Sequence, residues 1–262
     1  MFSTRATTHA RPPLEPRTGA GPTPASVRLT DLHRTYEGAV AVRALRGVSL
    51  DLAPGSVTAV MGPSGSGKST LLNCAAGLDV PDHGHVLVGG TDISSMSDDE
   101  LTRFRRTNVG FVFQSYNLLA HLDVRDNVEL PLVLAGQDVD TSWTADLLGQ
   151  LGLAGLQERL PGELSGGQAQ RVAIARALVT RPTVVFADEP TGALDSRAGA
   201  QVLGVFLEVA RQLGQTLVLV THDSTVAAVA EEVVLLSDGL IADRLTRPST
   251  EQISTRLLEL GR

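Results

Sequence analysis

Apolar positions in the first half of the chain follow the pattern of β-strands, either alternating with polar residues or forming short continuous runs. Val57–Met61 is nearly all apolar, which predicts a strand that is buried on both faces. Gly89 and Gly90 predict a turn that joins two short strands into a hairpin. The other predicted strands of this half cover residues 27–30, 40–45, 48–52, 85–88, 91–93 and 109–113.

Helical spacing of apolar residues dominates the middle of the chain. Ser97, with Glu100 three residues later, forms a capping-box pattern that predicts the start of a short helix. The other predicted helices cover residues 68–76, 125–134, 141–151, 168–179, about 198–213, a turn near Val226, and 251–260. Strands predicted at 183–187, 216–220, 233–236 and 240–245 alternate with the later helices.

This order of elements predicts an α/β fold with two lobes. Alternating strands and helices build a mostly parallel core sheet wrapped by helices, and the β-rich start predicts an antiparallel β subdomain. The helical middle, at about residues 115–180, is expected to be a subdomain inserted into this core. Residues 1–26 are rich in Pro, Thr, Ala and Gly and lack hydrophobic periodicity, so we expect a disordered N-terminal tail and one domain over residues 27–262.

The composition narrows the classes of function. A net charge of −7 and a pI near 5.4 argue against a nucleic-acid partner, because such proteins carry a basic footprint. Arg103, Arg105 and Arg106 form a local cluster that is expected on the solvated face of the short helix. No stretch approaches the roughly 18 continuous apolar residues of a membrane span. We therefore expect a cytosolic chain that needs a separate subunit for any work at a membrane.

A glycine-rich loop follows the first buried strand and matches the phosphate-binding pattern G-x-x-x-x-G-K-[ST]. Its residues are Gly62, Pro63, Ser64, Gly65, Ser66, Gly67, Lys68, Ser69 and Thr70. Lys68 is the only lysine among 22 basic residues, which favours a need for a compact ammonium at this position. Backbone N–H groups and the N-terminus of the following helix are suited to phosphates, and the Ser69 hydroxyl is suited to Mg²⁺.

Two adjacent carboxylates, Asp188 and Glu189, end a second apolar strand. Alone, such a pair is more often a helix cap or a surface feature. Hydrolysis of a nucleoside triphosphate requires a carboxylate that orders the metal and a group that positions or activates water. Together with the phosphate-binding loop, the pair therefore predicts a metal ligand at Asp188 and a general base at Glu189.

A third motif, Leu164 to Arg171, reads LSGGQAQR and precedes an amphipathic helix. Ser165, Gly166, Gly167 and Gln168 resemble the LSGGQ signature of ATP-binding-cassette (ABC) ATPases. A Ser-Gly-Gly turn at a helix N-terminus is itself suited to an anion. The chain thus carries two phosphate-binding devices.

The remaining elements of that family occur in the expected order. The resemblance identifies Gln114 with the Q-loop, Asp195 with the D-loop and His222 with the switch histidine, and it matches Tyr36 to the aromatic that stacks on adenine. Each of these residues alone would be a weak signal. The resemblance covers about residues 27–245, and it implies the fold of a P-loop NTPase of the ABC ATPase type.

Finer matches point to one subgroup of the family. Residues 109–119, 126–132 and 187–195 resemble the lipoprotein-release, macrolide-export and peptide-antibiotic-resistance ATPases. Ala169 departs from that subgroup, in which a second Gln is usual. The departure leaves the Ser-Gly-Gly of the signature intact.

The resemblance implies ATP and Mg²⁺ as cofactors and a head-to-tail homodimer or pseudo-dimer. Each ATP would lie between the phosphate-binding loop of one protomer and the signature of the other. By position, Lys68 holds phosphates, Ser69 and Gln114 bind Mg²⁺, and Asp188 orders the water shell of the ion. Glu189 would be the base, and His222 would sense the γ-phosphate.

The resemblance also implies a membrane permease as partner, moved through the helical lobe near Gln114, with the chain at the cytoplasmic face of the cell membrane. Within the subgroup, the expected activity is export or extraction of a hydrophobic or peptide-like substrate. Importer ATPases and a regulatory ATPase of the cell-division type remain alternatives. A non-transport ATPase acting on DNA or ribosomes would predict a coiled-coil insertion, a second cassette or a basic surface, and the sequence contains none of these.

Overall fold

The computed structural model describes residues 25–38 and 40–260, and within them the chain forms two β-sheets and eight α-helices. The strands are β1 Val27–Tyr36, β2 Val42–Leu52, β3 Val57–Met61, β4 His83–Val88, β5 Thr91–Asp92, β6 Val109–Phe113, β7 Val184–Asp188, β8 Thr216–Val220, β9 Glu232–Ser237 and β10 Leu240–Thr246. The helices are α1 Lys68–Ala75, α2 Asp98–Asn108, α3 Val124–Leu134, α4 Thr141–Gln150, α5 Gly166–Leu178, α6 Ser196–Gln212, α7 Ser224–Ala227 and α8 Thr250–Leu260.

The larger sheet has six strands in the order β10-β9-β3-β8-β7-β6, and all of them are parallel except β10. The smaller sheet is antiparallel, in the order β2-β1-β4-β5. Helices α3, α4 and α5 lie between β6 and β7 in the chain and pack on one another. The predicted fold class, a mostly parallel core sheet with an antiparallel β subdomain and an inserted helical subdomain, is confirmed.

Side chains of the central strands alternate between two hydrophobic cores, because successive residues of a strand point to opposite faces. Leu217 and Leu219 of β8 face the core that contains the helices of the inserted lobe. Val218 and Val220 face the second core, which lies under α1 and the antiparallel sheet. The parallel sheet is therefore buried on both faces, as continuous apolar strands predict.

The predicted end of β1 and the predicted break in β2 are wrong. Both strands continue through β-bulges: Leu32 pairs with Val48 and His33 with Arg46, so Gly47 is an extra residue of β2. Gly47 has φ +98°, a conformation that glycine adopts without strain. The other helix and strand boundaries agree with the predicted ones within two residues, and the capping box of Ser97 and Glu100 is present.

The predicted tail, up to residue 24, lies outside the described residues. Ser26 belongs to the folded part, since its amide donates to Leu52 O (2.8 Å) and its hydroxyl oxygen accepts from the Thr216 hydroxyl (2.9 Å). No helix in the described part of the chain is both long and apolar enough to cross a bilayer.

Four chemically important segments follow the carboxyl ends of neighbouring parallel strands. β3 leads into the phosphate-binding loop, β6 into Gln114, β7 into Glu189 and β8 into Thr221 and His222. Asp188, the last residue of β7, pairs with Phe113 on β6 and with Val220 on β8. The fold therefore brings these segments to one edge of the sheet, which is where ligands bind in open α/β sheets.

Candidate active site

Two glycines allow the phosphate-binding loop to pass very close to neighbouring backbone. Gly67, which precedes α1, has φ +102°, and a Cβ built on it would lie 2.3 Å from Ala44 O. A Cβ on Gly62 would lie 2.1 Å from Leu236 O. Because the atoms in the way belong to the backbone, neither position accepts a side chain without displacing a strand or a loop.

The ammonium group of Lys68 lies across this loop. Its Nζ donates to Gly62 O (2.9 Å) and to Pro63 O (2.8 Å). Burial lowers the pKa of Lys68, whereas the nearby carboxylates of Glu189 and Asp188 act in the opposite direction. The loop thus holds a positive charge on two carbonyl oxygens, which phosphate oxygens of a nucleotide can replace.

The other loop residues leave donors available to a ligand. The Ser66 hydroxyl is buried and has no hydrogen-bond partner in the described part of the chain. Ser69 is exposed, and so are Pro63, Ser64 and Gly65, whereas Thr70 is buried. Since α1 has no acidic residue in its first turn, the positive end of the helix faces the loop without an internal counter-charge.

Asp188 and Glu189 lie opposite the loop, at the end of β7. Burial raises the pKa of Asp188, and repulsion by Glu189 raises it further, while Lys68 lowers it. Glu189 has φ +47°, a strained conformation for a residue with a side chain. Its amide donates to Val220 O (2.8 Å), so the strained residue remains bonded to β8.

The Glu189 carboxylate is held by donors from the segment after β8. Oε1 lies 2.6 Å from His222 Nδ1 and accepts from the His222 amide (3.0 Å), and Oε2 accepts from the Thr221 hydroxyl (3.0 Å). The His222 side chain is 78% exposed, so the ring remains open to a ligand. Sequence reasoning missed Thr221, whose only signal was its position beside His222.

Gln114 and Asp195 flank this pair of residues. The Gln114 amide nitrogen lies 2.9 Å from the position of a Cβ on Gly192, whose own amide donates to Glu189 O (3.0 Å). Gln114 therefore lies against the turn that follows Glu189. Asp195 caps α6, and it lines a groove of about 480 Å³ together with Glu189 and His222.

Tyr36 lies at the end of β1, and the residue is 38% exposed. Its hydroxyl donates to Asp79 Oδ2 (2.7 Å), and the Arg34 guanidinium lies 5.0 Å from the ring centroid. Arg34 also pairs with Asp79 (2.8 Å). Sequence reasoning missed Arg34 and Asp79, which fix the orientation of the ring.

Ser165 is the N-cap residue of α5 and forms a capping box with Gln168. Its amide donates to Gln168 Oε1 (2.8 Å), and its hydroxyl oxygen accepts from the Gln168 amide (3.3 Å). Gly166 and Gly167 form the first turn of α5. No hydrogen bond between described residues joins residues 165–168 to the phosphate-binding loop. The structure thus brings together Lys68, Asp188, Glu189, His222 and Gln114, and it leaves the signature on the helical lobe.

A separate groove of about 410 Å³ lies between the core and the helical lobe. Its apolar lining includes Phe111, Phe113, Leu119, Leu130, Pro131 and Leu134. Arg105, Arg106 and Arg176 line it as well. The expectation of a fully solvated arginine face is wrong for Arg105, which is half-buried because its guanidinium donates to Gly77 O and to the Thr102 hydroxyl.

The residues at the sheet edge fit a nucleotide with its metal ion. Lys68, the unpartnered Ser66 hydroxyl and the N-terminus of α1 are donors for phosphate oxygens. The Ser69 hydroxyl, the Gln114 side-chain oxygen and the Asp188 carboxylate are oxygen ligands of the kind that Mg²⁺ prefers. The arrangement can therefore bind a triphosphate and offer a carboxylate, Glu189, to an attacking water.

Comparison with protein families agrees with this geometry. The family described as ABC transporter matches residues 45–192, more than half of the chain. The macrolide export ATP-binding/permease protein MacB of Wolinella succinogenes is 46% identical over 221 residues, which is 83% of this chain and 34% of that protein. MacB of Rhodopseudomonas palustris strain HaA2 is 46% identical over 227 residues, or 85% of this chain and 35% of its own. The chain thus spans about a third of the length of these relatives.

Solved structures show the same fold. The dimeric bacterial ABC transporter cassette MJ0796 is 38% identical, with a TM-score of 0.76 over 85% of this chain and 99% of that one. A dimeric post-hydrolysis state of the same cassette, bound to ADP and Pi, matches equally well. CbiO1 of Clostridium perfringens, part of the transporter complex cbiONQ, is 26% identical, with a TM-score of 0.77 over 90% of this chain and 93% of that one.

Proposed function

The chain belongs to the ABC transporter family as one of its ATP-binding, ATP-hydrolysing cassettes, and from that premise we propose that it powers export or extraction of a hydrophobic or peptide-like substrate through a membrane permease. Curated relatives with about 46% identity are named macrolide exporters, which supports the direction of transport. The work would be done at the cytoplasmic face of the membrane.

Hydrolysis depends on the residues at the edge of the parallel sheet. Glu189 takes the proton from water as the water oxygen bonds to the γ-phosphorus and the bond to the β-phosphate oxygen breaks, leaving ADP and phosphate. Lys68 holds the phosphates, and His222, held 2.6 Å from Glu189, donates to the γ-phosphate. Ser69 and Gln114 would hold Mg²⁺, with Asp188 on its water shell, and the ion would supply positive charge to the phosphate oxygens.

The observation that carries this assignment is the contact of Glu189 with Thr221 and His222 across the ends of β7 and β8. It fixes a carboxylate beside the only lysine of the chain, at the site where a parallel sheet binds ligands. A helix cap or a simple surface pair of carboxylates would not need three donors from the segment after β8.

A second protomer completes the site. The signature, Ser165 to Gln168, makes no hydrogen bond to the phosphate-binding loop within the described chain, yet it offers a helix N-terminus suited to phosphate. In a head-to-tail dimer the signature of one protomer covers the ATP of the other, with Asp195 at the interface and Tyr36 against adenine. The dimeric state of the MJ0796 cassette supports this arrangement.

The permease partner is expected at the groove between the core and the helical lobe. Its apolar lining suits a short amphipathic segment, and Arg106, which also lines the groove, is exposed. Because Phe113 lines the groove and is followed by Gln114 in the chain, closure of the ATP site would change the groove directly. Co-purification with a permease encoded nearby, lost on Arg106→Glu but kept with Arg125→Glu, is the expected outcome.

A signature variant tests the composite site. Gly167 has room for a side chain, since the nearest atom to its Cβ position is Val202 Cγ2 at 3.6 Å. Gly167→Asp should fold and bind Mg-ATP, yet lose hydrolysis, because the new carboxylate would face the partner's phosphates. Lys68→Gln should lose binding as well. Wild-type turnover by Gly167→Asp would contradict the dimeric site.

A further inference from the structure

The loop after β6 is fastened to α5, the helix that carries the signature. The Arg176 guanidinium donates to Tyr116 O (2.7 Å) through Nη2 and to Asn117 O (2.6 Å) through Nη1. Gln170, on the same helix, donates to Phe113 O (3.4 Å). Three carbonyl oxygens on either side of Gln114 are therefore held by one helix.

Holding the loop in this way requires a half-buried charge and a strained backbone, which indicates a functional role for the bonds between Arg176 and the loop. Arg176 is half-buried and no carboxylate of the described residues lies within ion-pair distance of it. Burial lowers the pKa of Arg176, as expected for a guanidinium that has only backbone oxygens as partners. Tyr116 and Asn117 have φ +59° and +50°, two consecutive left-handed residues that are not glycine. The Arg176 bonds hold the strained pair in place.

The Tyr116 side chain lies beside the signature. A Cβ built on Gly166 would lie 2.9 Å from the Tyr116 hydroxyl oxygen, so a side chain at this glycine would clash with that hydroxyl. Two residues earlier in the chain, the Gln114 amide lies equally close to the turn after Glu189. The segment from Gln114 to Tyr116 thus spans from the hydrolytic residues to the signature.

We propose that Tyr116 and Arg176 are positioning residues that hold the signature at a set distance from Gln114, so that nucleotide bound at Gln114 sets the signature for the partner's ATP. This inference rests on the proposed dimeric function. Tyr116 acts through its position beside Gly166, and Arg176 acts by keeping the Tyr116 backbone in its left-handed conformation. Neither residue contacts the reacting atoms.

The test uses the full chain with Glu189→Gln, which is expected to bind ATP without consuming it. Tyr116→Ala, Arg176→Gln and Arg176→Lys are added singly, the last keeping the charge but losing the fork. Arg125→Gln is the control, because Arg125 is an exposed arginine on α3 of the same helical lobe and its side chain makes no hydrogen bond or ion pair with a described residue. Affinity of the monomer for a fluorescent ATP analogue and the ATP concentration at half-dimerisation are measured separately.

The three variants should bind the analogue like the parent but need about 5–150 times more ATP to dimerise, the usual range of coupling between two sites. Arg125→Gln should resemble the parent in both measurements. Unchanged dimerisation in all three variants, or an equal loss of monomer binding, would overturn the positioning role. If Arg176→Gln fails to fold, Arg176→Lys and Tyr116→Ala decide the outcome. A parent that never dimerises with ATP would instead overturn the proposed dimeric function.

Discussion

Replacing Glu189 by glutamine should separate the chemistry of this residue from its structural contacts. Glutamine has the same shape, and its two polar atoms can satisfy the same neighbours. Its carbonyl oxygen can accept from the His222 amide, as Oε1 does at 3.0 Å, and its amide can donate to the Thr221 hydroxyl oxygen, 3.0 Å from Oε2. The number of hydrogen bonds therefore stays the same, and only the negative charge of residue 189 is lost.

The expected cost in stability is small. A hydrogen bond to a charged group contributes about 1.5–3 kcal/mol and a neutral one about 0.5–1.5 kcal/mol. The variant loses part of this difference and the attraction to Lys68, but it also loses the repulsion of Asp188. We expect a free energy of unfolding within about 2 kcal/mol of the wild type.

The expected cost in turnover is much larger. Loss of a positioned general base lowers a rate by about 10²–10⁴-fold, equal to about 2.7–5.4 kcal/mol of transition-state stabilisation. Steady-state ATP hydrolysis and urea unfolding measure the two quantities on one preparation. Glu189→Ala is the control, because it removes the hydrogen bonds together with the base and should also be less stable.

If the rate of ATP hydrolysis falls less than about tenfold while ATP binding is retained, Glu189 is not the general base. A loss of stability as large as the loss of transition-state stabilisation would also refute the reasoning. In that case the bonds to Thr221 and His222 would be structural, and the loss of turnover would follow from misfolding.

Three further predictions concern the loop and its neighbours. Gly67→Ala should lower the free energy of unfolding by about 1–3 kcal/mol and abolish nucleotide binding, because its Cβ would clash with Ala44 O. Gly65→Ala is the control, because Gly65 also has a positive φ, +79°, but has open space around its Cβ position. Equal effects of the two substitutions would exclude the clash as the cause. An amine reagent should label Lys68 at a lower pH than free lysine, because burial lowers the pKa of Lys68, and Mg-ATP should protect it. Equal labelling with and without Mg-ATP would contradict a phosphate-binding role for Lys68. Asp188→Asn should stabilise the nucleotide-free chain at neutral pH. Since folding raises the pKa of Asp188, the gain should vanish as pH falls below 3.8, and a pH-independent gain would contradict the cause.

The sequence predicts the parallel core well because its strands are buried on both faces. Continuous apolar runs such as Val57–Met61 are short and rich in β-branched residues, which favours a strand buried on both faces over a buried helix. The antiparallel sheet is predicted less well, because its two long strands contain bulges. Gly47 was the only local signal of the bulge in β2, and a lone glycine in a strand has several uses.

The candidate site, like the fold, could be predicted from the sequence only in part. Lys68, Asp188 and Glu189 follow apolar strands, and the carboxyl ends of parallel strands must meet, so their proximity could be predicted. The partners of these residues could not. Thr221 donates to Glu189 and Asp79 accepts from Tyr36 and Arg34, and these bonds join segments far apart in sequence without a motif that would signal them.

The most direct test of the account is the molar mass of the Glu189→Gln chain with and without Mg-ATP, measured by light scattering. We predict 27.5 kDa without nucleotide and twice that mass with ATP, and no change when Gly167→Asp is also present. A mass that stays at 27.5 kDa with saturating ATP, or doubles equally in the signature variant, would contradict a site shared between two protomers.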